Sequence, residues 1–226
     1  MTTRSPLAIG EWYHCFNRGV DKRKIFLTKK DYERFLLLMY IGNGTIPVHI
    51  SVLKDKELHH ILNNDLSNRD DPLVEIGAYA LMPNHFHLLM KETKEGGIAT
   101  FMQKICTGYT MYFNKKNERT GALLSGPFKS KHVADDDYFQ QVVSYINLNP
   151  VELFEPKWKE GIGNTKRIKK QLLDYPYSSV HEFSGSHRPE RKLLGDSVFE
   201  IFSDSSVHSM LENAREYYAE KSILKR

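Results

Sequence analysis

The 226-residue chain is poor in cysteine, holding only Cys15 and Cys106. Two isolated thiols cannot build a disulfide framework or a cysteine metal cluster, so a reducing cytoplasmic setting is expected. Long apolar runs are also missing. The longest, Phe35 to Ile41, falls far short of the ~20 residues that a membrane-spanning helix needs. The segment Met1 to Pro6 has no apolar h-region, so no secretory leader is expected. No internal repeat is visible. With hydrophobic residues at 40 % and charged residues at 27 %, disordered and collagen-like chains are excluded. A chain of this length is expected to form one domain with its own core, with room for an appendage.

What is present is an uneven distribution of positive charge. The formal net charge is +4. From Phe101 to His132 the basic residues Lys104, Lys115, Lys116, Arg119, Lys129 and Lys131 face only Glu118. From Pro156 to Gln171, Lys157, Lys159, Lys166, Arg167, Lys169 and Lys170 face only Glu160. An acidic and apolar stretch, Asp135 to Glu155, separates the two blocks. Such a pattern suits a groove for a polyanion, and equally suits two solvated patches.

Hydrophobic periodicity orders the elements. Alternation predicts a strand over Glu11–Asn17. Thr28, with Asp31 three residues on, opens a helix that runs to Ile41 and stops at Gly42-Asn43-Gly44. Val74–Leu81 and His85–Glu92 read as a hairpin around Met82-Pro83-Asn84. Ile98–Asn117 has helical spacing, and Lys129–Val133 is a short strand. The acidic run Asp135-Asp136-Asp137 opens a helix to about Leu148, which Pro150 ends. The first six elements follow the βαββαβ order of a ferredoxin-like split α+β fold, an antiparallel sheet with helices on one face. Thr45 to Pro72 reads as an insertion, with a short strand at Pro47–Leu53 and a short helix at Lys56–Leu62. The expected division is a domain over 1–155 followed by 156–226, a basic linker (Pro156 to Gln171) and a C-terminal extension that is helical near Ser205–Lys221.

Two places could carry chemistry. In His85-Phe86-His87 the imidazoles lie two residues apart on a strand, so both point to one face and can converge on a divalent cation. A pair of packed histidines has the same pattern. On the helix from Asp136, the residues Tyr138, Val142, Tyr145 and Asn149 form one stripe, with Asn149 a turn beyond Tyr145. A phenol becomes a useful nucleophile toward a phosphodiester when a metal neutralises the phosphate. A carboxamide oxygen is a hard donor suited to Mg²⁺ or Mn²⁺. Read alone, Tyr145 reads as a core aromatic on an amphipathic helix, and the alternative for Asn149 is a helix cap. Tyr138 is the rival nucleophile on the same stripe. His14 faces either the site or the interior, and His59-His60 reads as solvated.

Taken together, Tyr13 to Val20, Met82 to Leu89, Gly126 to Ser130 and Ser144 to Val151 resemble, in that order, the motifs of single-tyrosine HUH transposases. The IS200-like and REP-associated branch is the nearest in kind. Tyr145-Ile146 before Asn149-Pro150, and Tyr175-Pro176-Tyr177-Ser178-Ser179, resemble its endings. The resemblance implies that Tyr145 is the nucleophile and that His85, His87 and Asn149 bind Mg²⁺ or Mn²⁺. Arg18, Lys104, Lys115, Lys116, Lys129 and Lys131 would contact DNA. It implies nicking of hairpin-forming single-stranded DNA (REP-like palindromes) through a 5′-phosphotyrosine and strand transfer without ATP. The protein would act as a monomer or homodimer, cytoplasmic and nucleoid-associated. The alternative is a domesticated hairpin-DNA-binding protein without turnover. Asn149 stands where many relatives carry Gln, and Pro127 where relatives commonly carry Arg.

Overall fold

The structure is a computed structural model and describes residues 7–45, 58–64, 71–160, 163–202 and 206–214. Four strands, β1 (Trp12–Arg18), β2 (Val74–Met82), β3 (His85–Glu92) and β4 (Lys129–Val133), form one sheet in the order β2-β3-β1-β4. Every pairing is antiparallel. This is the strand order of the expected split βαββαβ fold, in which each half contributes one central and one edge strand.

The sheet has two unlike faces because side chains alternate along each strand. On the first face lie Cys15 of β1 and Phe86 and Leu88 of β3, all buried. Helices α1 (Lys29–Gly42) and α3 (Gly97–Lys116) cover it, with Phe35 packed at 4.9 Å on Phe86 and 5.1 Å on Tyr109. Asp31 builds the expected capping box at α1, receiving the backbone N–H of Thr28 and of Leu27 at 2.9 Å each. A short helix, α2 (Leu58–Asn64), falls in the expected insertion. The strand expected at 47–53 lies outside the described residues.

The second face presents Trp12, His14 and Phe16 of β1 beside His85, His87 and Leu89 of β3. Helix α4 (Asp136–Leu148) crosses this face, touching β2, β3 and β4. Its N-terminus is closed by Asp135, whose carboxylate accepts the Tyr138 N–H at 2.7 Å. Phe139, Val142, Val143 and Ile146 are buried beneath it, and Phe139 meets Trp12 edge to face at 5.2 Å. Gly77 opposite leaves room for that indole, since a Cβ there would stand 2.7 Å from the Trp12 ring.

Within the stretch Pro156 to Gln171, read from sequence as a linker, the described residues 156–160 and 163–171 are structured. They include most of helix α5 (Thr165–Leu173), capped by Asn164, which accepts the Arg167 N–H at 3.0 Å. Ile168 and Leu172, one turn apart, bury the stripe that ties it down. The basic run is the solvent side of that helix. Farther on, α6 (Val180–Phe183), α7 (Ser197–Ile201) and the helical residues 207–214 follow. Side chains on both sides of residue 155 share one hydrophobic cluster, which takes in Phe183, Val198 and Leu211.

The Tyr-Pro-Tyr-Ser-Ser segment lies along the outer edge of β2. The Leu81 N–H donates to the Tyr177 carbonyl, and the Ser179 N–H donates to the Tyr79 carbonyl, both at 2.9 Å. The Ser179 hydroxyl also reaches Asn147 of α4 at 2.7 Å. An edge that would otherwise invite a foreign strand is thereby paired within the chain. Among the described residues, no helix is long and apolar enough to cross a membrane.

Arg188 locks this edge segment. Its guanidinium donates to both oxygens of Glu182 at 2.9 Å and to the carbonyls of Pro176 and Ser178 at 3.0 and 3.1 Å. The Glu182 carboxylate is fully buried. Burial pushes the Glu182 carboxyl up to about 7 even beside Arg188, so without the guanidinium it takes up a proton. Arg188→Ala should leave this buried acid and two carbonyls without their donor and lower stability by about 3 kcal/mol, read as a reduced urea midpoint. An unchanged midpoint would show that the clamp contributes nothing.

Candidate active site

The site forms where α4 meets the second sheet face. Strand pleating puts His85 and His87 on that face and sends Phe86 into the opposite core. Their rings stand 5.1 Å apart and nearly perpendicular. The stripe on α4 runs over them. Tyr145 has its ring 5.5 Å from His87 and 5.9 Å from His14, edge to face with both. One turn on, the Asn149 carboxamide oxygen is 3.2 Å from Nε2 of His85.

Asn149 is also the helix C-cap, but its backbone is right-handed and the chain passes directly into a 3₁₀ turn over Asn149–Leu153. It is 1 % exposed. Its side chain is engaged with the histidine and with Tyr145, so the capping role does not account for the carboxamide.

The hydrogen bonds around the histidines bear on what the site can hold. Nδ1 of His85 is 2.7 Å from the Asn84 carboxamide oxygen. When Nδ1 donates its hydrogen to that oxygen, a neutral ring keeps its lone pair on Nε2. Nε2 then points at the Asn149 oxygen, 3.2 Å away. Two acceptors this close suit a shared cation.

His87 is arranged in the same way by a residue whose role the sequence left open. Its Nδ1 is 2.9 Å from Nε2 of His14, and both side chains are buried. Burial and the nearby Lys131 charge hold the His14 imidazole down to about 4, so it is neutral near pH 7. When His87 donates its Nδ1–H to this ring, its Nε2 keeps the lone pair, as a metal ligand requires. The donor set His85, His87 and Asn149 therefore fits a hard divalent ion. Among the described residues, no group of three or more His, Cys, Asp and Glu side chains is gathered to hold one. A third donor beside the two histidines would be the Asn149 carboxamide.

Tyr138, two turns earlier on the stripe, does not join the histidines. Its ring lies 4.5 Å beneath the Lys131 ammonium. The basic residues expected to contact DNA divide between the two faces. Arg18 pairs with His85 across the strands, Lys129 pairs with Phe16 and Lys131 with His14, so all three belong to the face that carries the site. Lys104, Lys115 and Lys116 sit on α3, which covers the other face. Lys104 donates to the Gly44 carbonyl, and Lys116 is bound at 2.6 Å to the fully buried carboxylate of Asp31. Burial pushes that carboxyl up. The Lys116 ammonium and the backbone donors outweigh this and leave it below the ordinary range.

Residues 50–149 match the model of the family described as transposase, IS200 like. The matched segment takes in the β2–β3 hairpin, α3, β4 and α4 through Asn149. Over this segment the chain is similar to IS200-like transposases. A comparison with the curated proteins gives no match. Among solved structures, a REP-associated tyrosine transposase bound to a REP hairpin is similar to this chain, at 18 % identity and a TM-score of 0.49. The similarity covers 84 % of this chain and 89 % of that one.

The His14–His87 bond predicts a graded response. His14→Phe keeps the ring volume and loses the acceptor, so Mn²⁺ affinity measured calorimetrically should fall about 10-fold or more. His14→Gln restores an acceptor and should recover most of the affinity. Equal affinities in all three proteins would mean that His14 only fills space.

Proposed function

We propose that the protein is a single-tyrosine transposase that nicks hairpin-forming single-stranded DNA and transfers the cut strand. The observation that supports this reading is the meeting of Tyr145, His87, His85 and Asn149 between one strand face and one helix. The Tyr145 oxygen attacks the scissile phosphorus and the bond to the 3′ oxygen breaks. One strand leaves with a free 3′-OH while the other stays on Tyr145 through its 5′ phosphate. The phenol gives up one proton and the leaving oxygen gains one. Attack by another 3′-OH reverses the step and joins ends. One diester replaces another each time, so no nucleotide triphosphate is consumed.

His85, His87 and Asn149 would hold Mg²⁺ or Mn²⁺, which supplies charge neutralisation at the phosphate. The chain's own contribution is alignment. Tyr145 and Asn149 share one turn of a rigid helix, so the nucleophile and one donor move as a unit. Arg18, Lys129 and Lys131 give the same face the positive charge that a DNA backbone requires.

Burial pushes the Tyr145 phenol above its ordinary range, and the Glu152 charge adds to this. The hydrogen bond with Asn149 acts in the opposite direction. At neutral pH the group therefore carries its proton. Below its pKa the phenolate fraction grows about tenfold per pH unit, so nicking should accelerate as pH rises above neutrality.

A denaturing gel with a labelled panel of hairpin oligonucleotides tests the reading. The wild-type chain with Mn²⁺ should give a band of protein joined to DNA, more of it at higher pH. Tyr145→Phe should give none while keeping its fold, since only one oxygen is removed. Tyr138→Phe should behave as wild type. An adduct with Tyr145→Phe, or none with the wild type on any hairpin, would refute it.

A further inference from the structure

Beside Tyr145 a cavity of about 510 Å³ opens between the second sheet face, α4 and the helical residues 207–214. It lies within the size range of pockets that enclose a small ligand. Its lining is aromatic and amphipathic. Phe16 forms part of the sheet side, Tyr138 and Gln141 come from α4, and Met210 comes from the C-terminal helical residues. Lys131 stands at the cavity with its ammonium over the Tyr138 ring. Among the described residues, no aspartate or glutamate lines it.

We infer that this cavity is a nucleobase pocket that receives the base of a nucleotide flanking the scissile phosphate. The inference rests on the reading that Tyr145 meets a phosphodiester, and deepens it by assigning a place where sequence is read. Three features select this occupant. The cavity adjoins the nucleophile, so whatever chain presents a phosphate to Tyr145 must pass its mouth. Among the described lining residues the formal charge is positive and belongs to Lys131, beside the Tyr138 face, which suits a phosphate linked to a flat ring. The amide of Gln141 offers both a donor and an acceptor for a base edge. A purely apolar ligand would leave Lys131 and Gln141 with nothing to meet.

Met210 gives a reporter that needs neither turnover nor a known target sequence. The protein is labelled with ¹³C at methionine methyls, and Met210 is assigned with Met210→Leu. It is then titrated with each of the four deoxynucleoside 5′-monophosphates and, in parallel, with deoxyribose 5-phosphate. The expected result is a saturable shift of the Met210 methyl with at least one nucleotide, at a Kd on the order of 1 mM. The sugar phosphate should leave it unmoved. Gln141→Trp, at an exposed position on α4, fills the cavity and should abolish the shift while preserving the melting temperature. Lys131→Ala should weaken binding several-fold. No shift with any nucleotide, or the same shift with deoxyribose 5-phosphate, overturns the pocket. An unaltered shift in a folded Gln141→Trp protein overturns it as well. The covalent-adduct assay reads Tyr145 separately, so a failed pocket and a failed nuclease give different results.

Discussion

The antiparallel register between β1 and β3 is the constraint on which the site depends. It sets Phe16 against His87 and Arg18 against His85. A slip of one residue would exchange the two faces, moving the imidazoles into the apolar core beneath α1 and α3 and Phe86 onto the site face. The slip is prevented on the core side, where Phe86, Leu88 and Met90 are fully buried. Apolar burial on one face thus specifies the placement of polar groups on the other. The site is held in position by side chains that take no part in it.

The second requirement is the docking of α4. A two-layer fold leaves one sheet face open, and here that face is closed by the helix that follows the last strand. Phe139 against Trp12 anchors one end. At the other end, the buried Asn147 binds Ser179, which is itself bonded to the β2 backbone. The C-terminal segment therefore braces the candidate nucleophile's helix through the sheet edge. This connection relates the last third of the chain to the chemistry proposed for the middle third. It also explains why the edge is paired internally and why Arg188 is spent on a buried carboxylate.

Charge on the two faces serves different ends. Lys116 stabilises the α1 N-terminus through Asp31, and Lys104 ties α3 to the end of α1. Neither belongs to the site face, although both fall in the same basic block of sequence as Lys129 and Lys131. Linear charge density cannot separate them, because a strand and a helix adjacent in sequence face opposite sides of the sheet. Sequence proximity measures charge per residue, whereas a polyanion senses charge per area of one surface.

Local chemistry determined much of this protein before any tertiary contact is considered. The Thr28–Asp31 capping box, the hairpin around Met82-Pro83-Asn84, the acidic opening of α4 and the shared face of His85 and His87 follow from dihedral preference and from periods of 2 and 3.6. The same periodicity aligned Tyr145 with Asn149. What it could not decide was which groups from different elements meet. The basic run before Gln171 is a helix because Ile168 and Leu172 find a core to enter, a fact absent from its composition. His14 and Asn84 support the two histidines across strand and turn contacts that have no local signature. Whether Asn149 only caps its helix or also faces a histidine is settled by the packing angle of α4 on the sheet. That angle is set by many distant apolar contacts acting together, and no short stretch of sequence contains them.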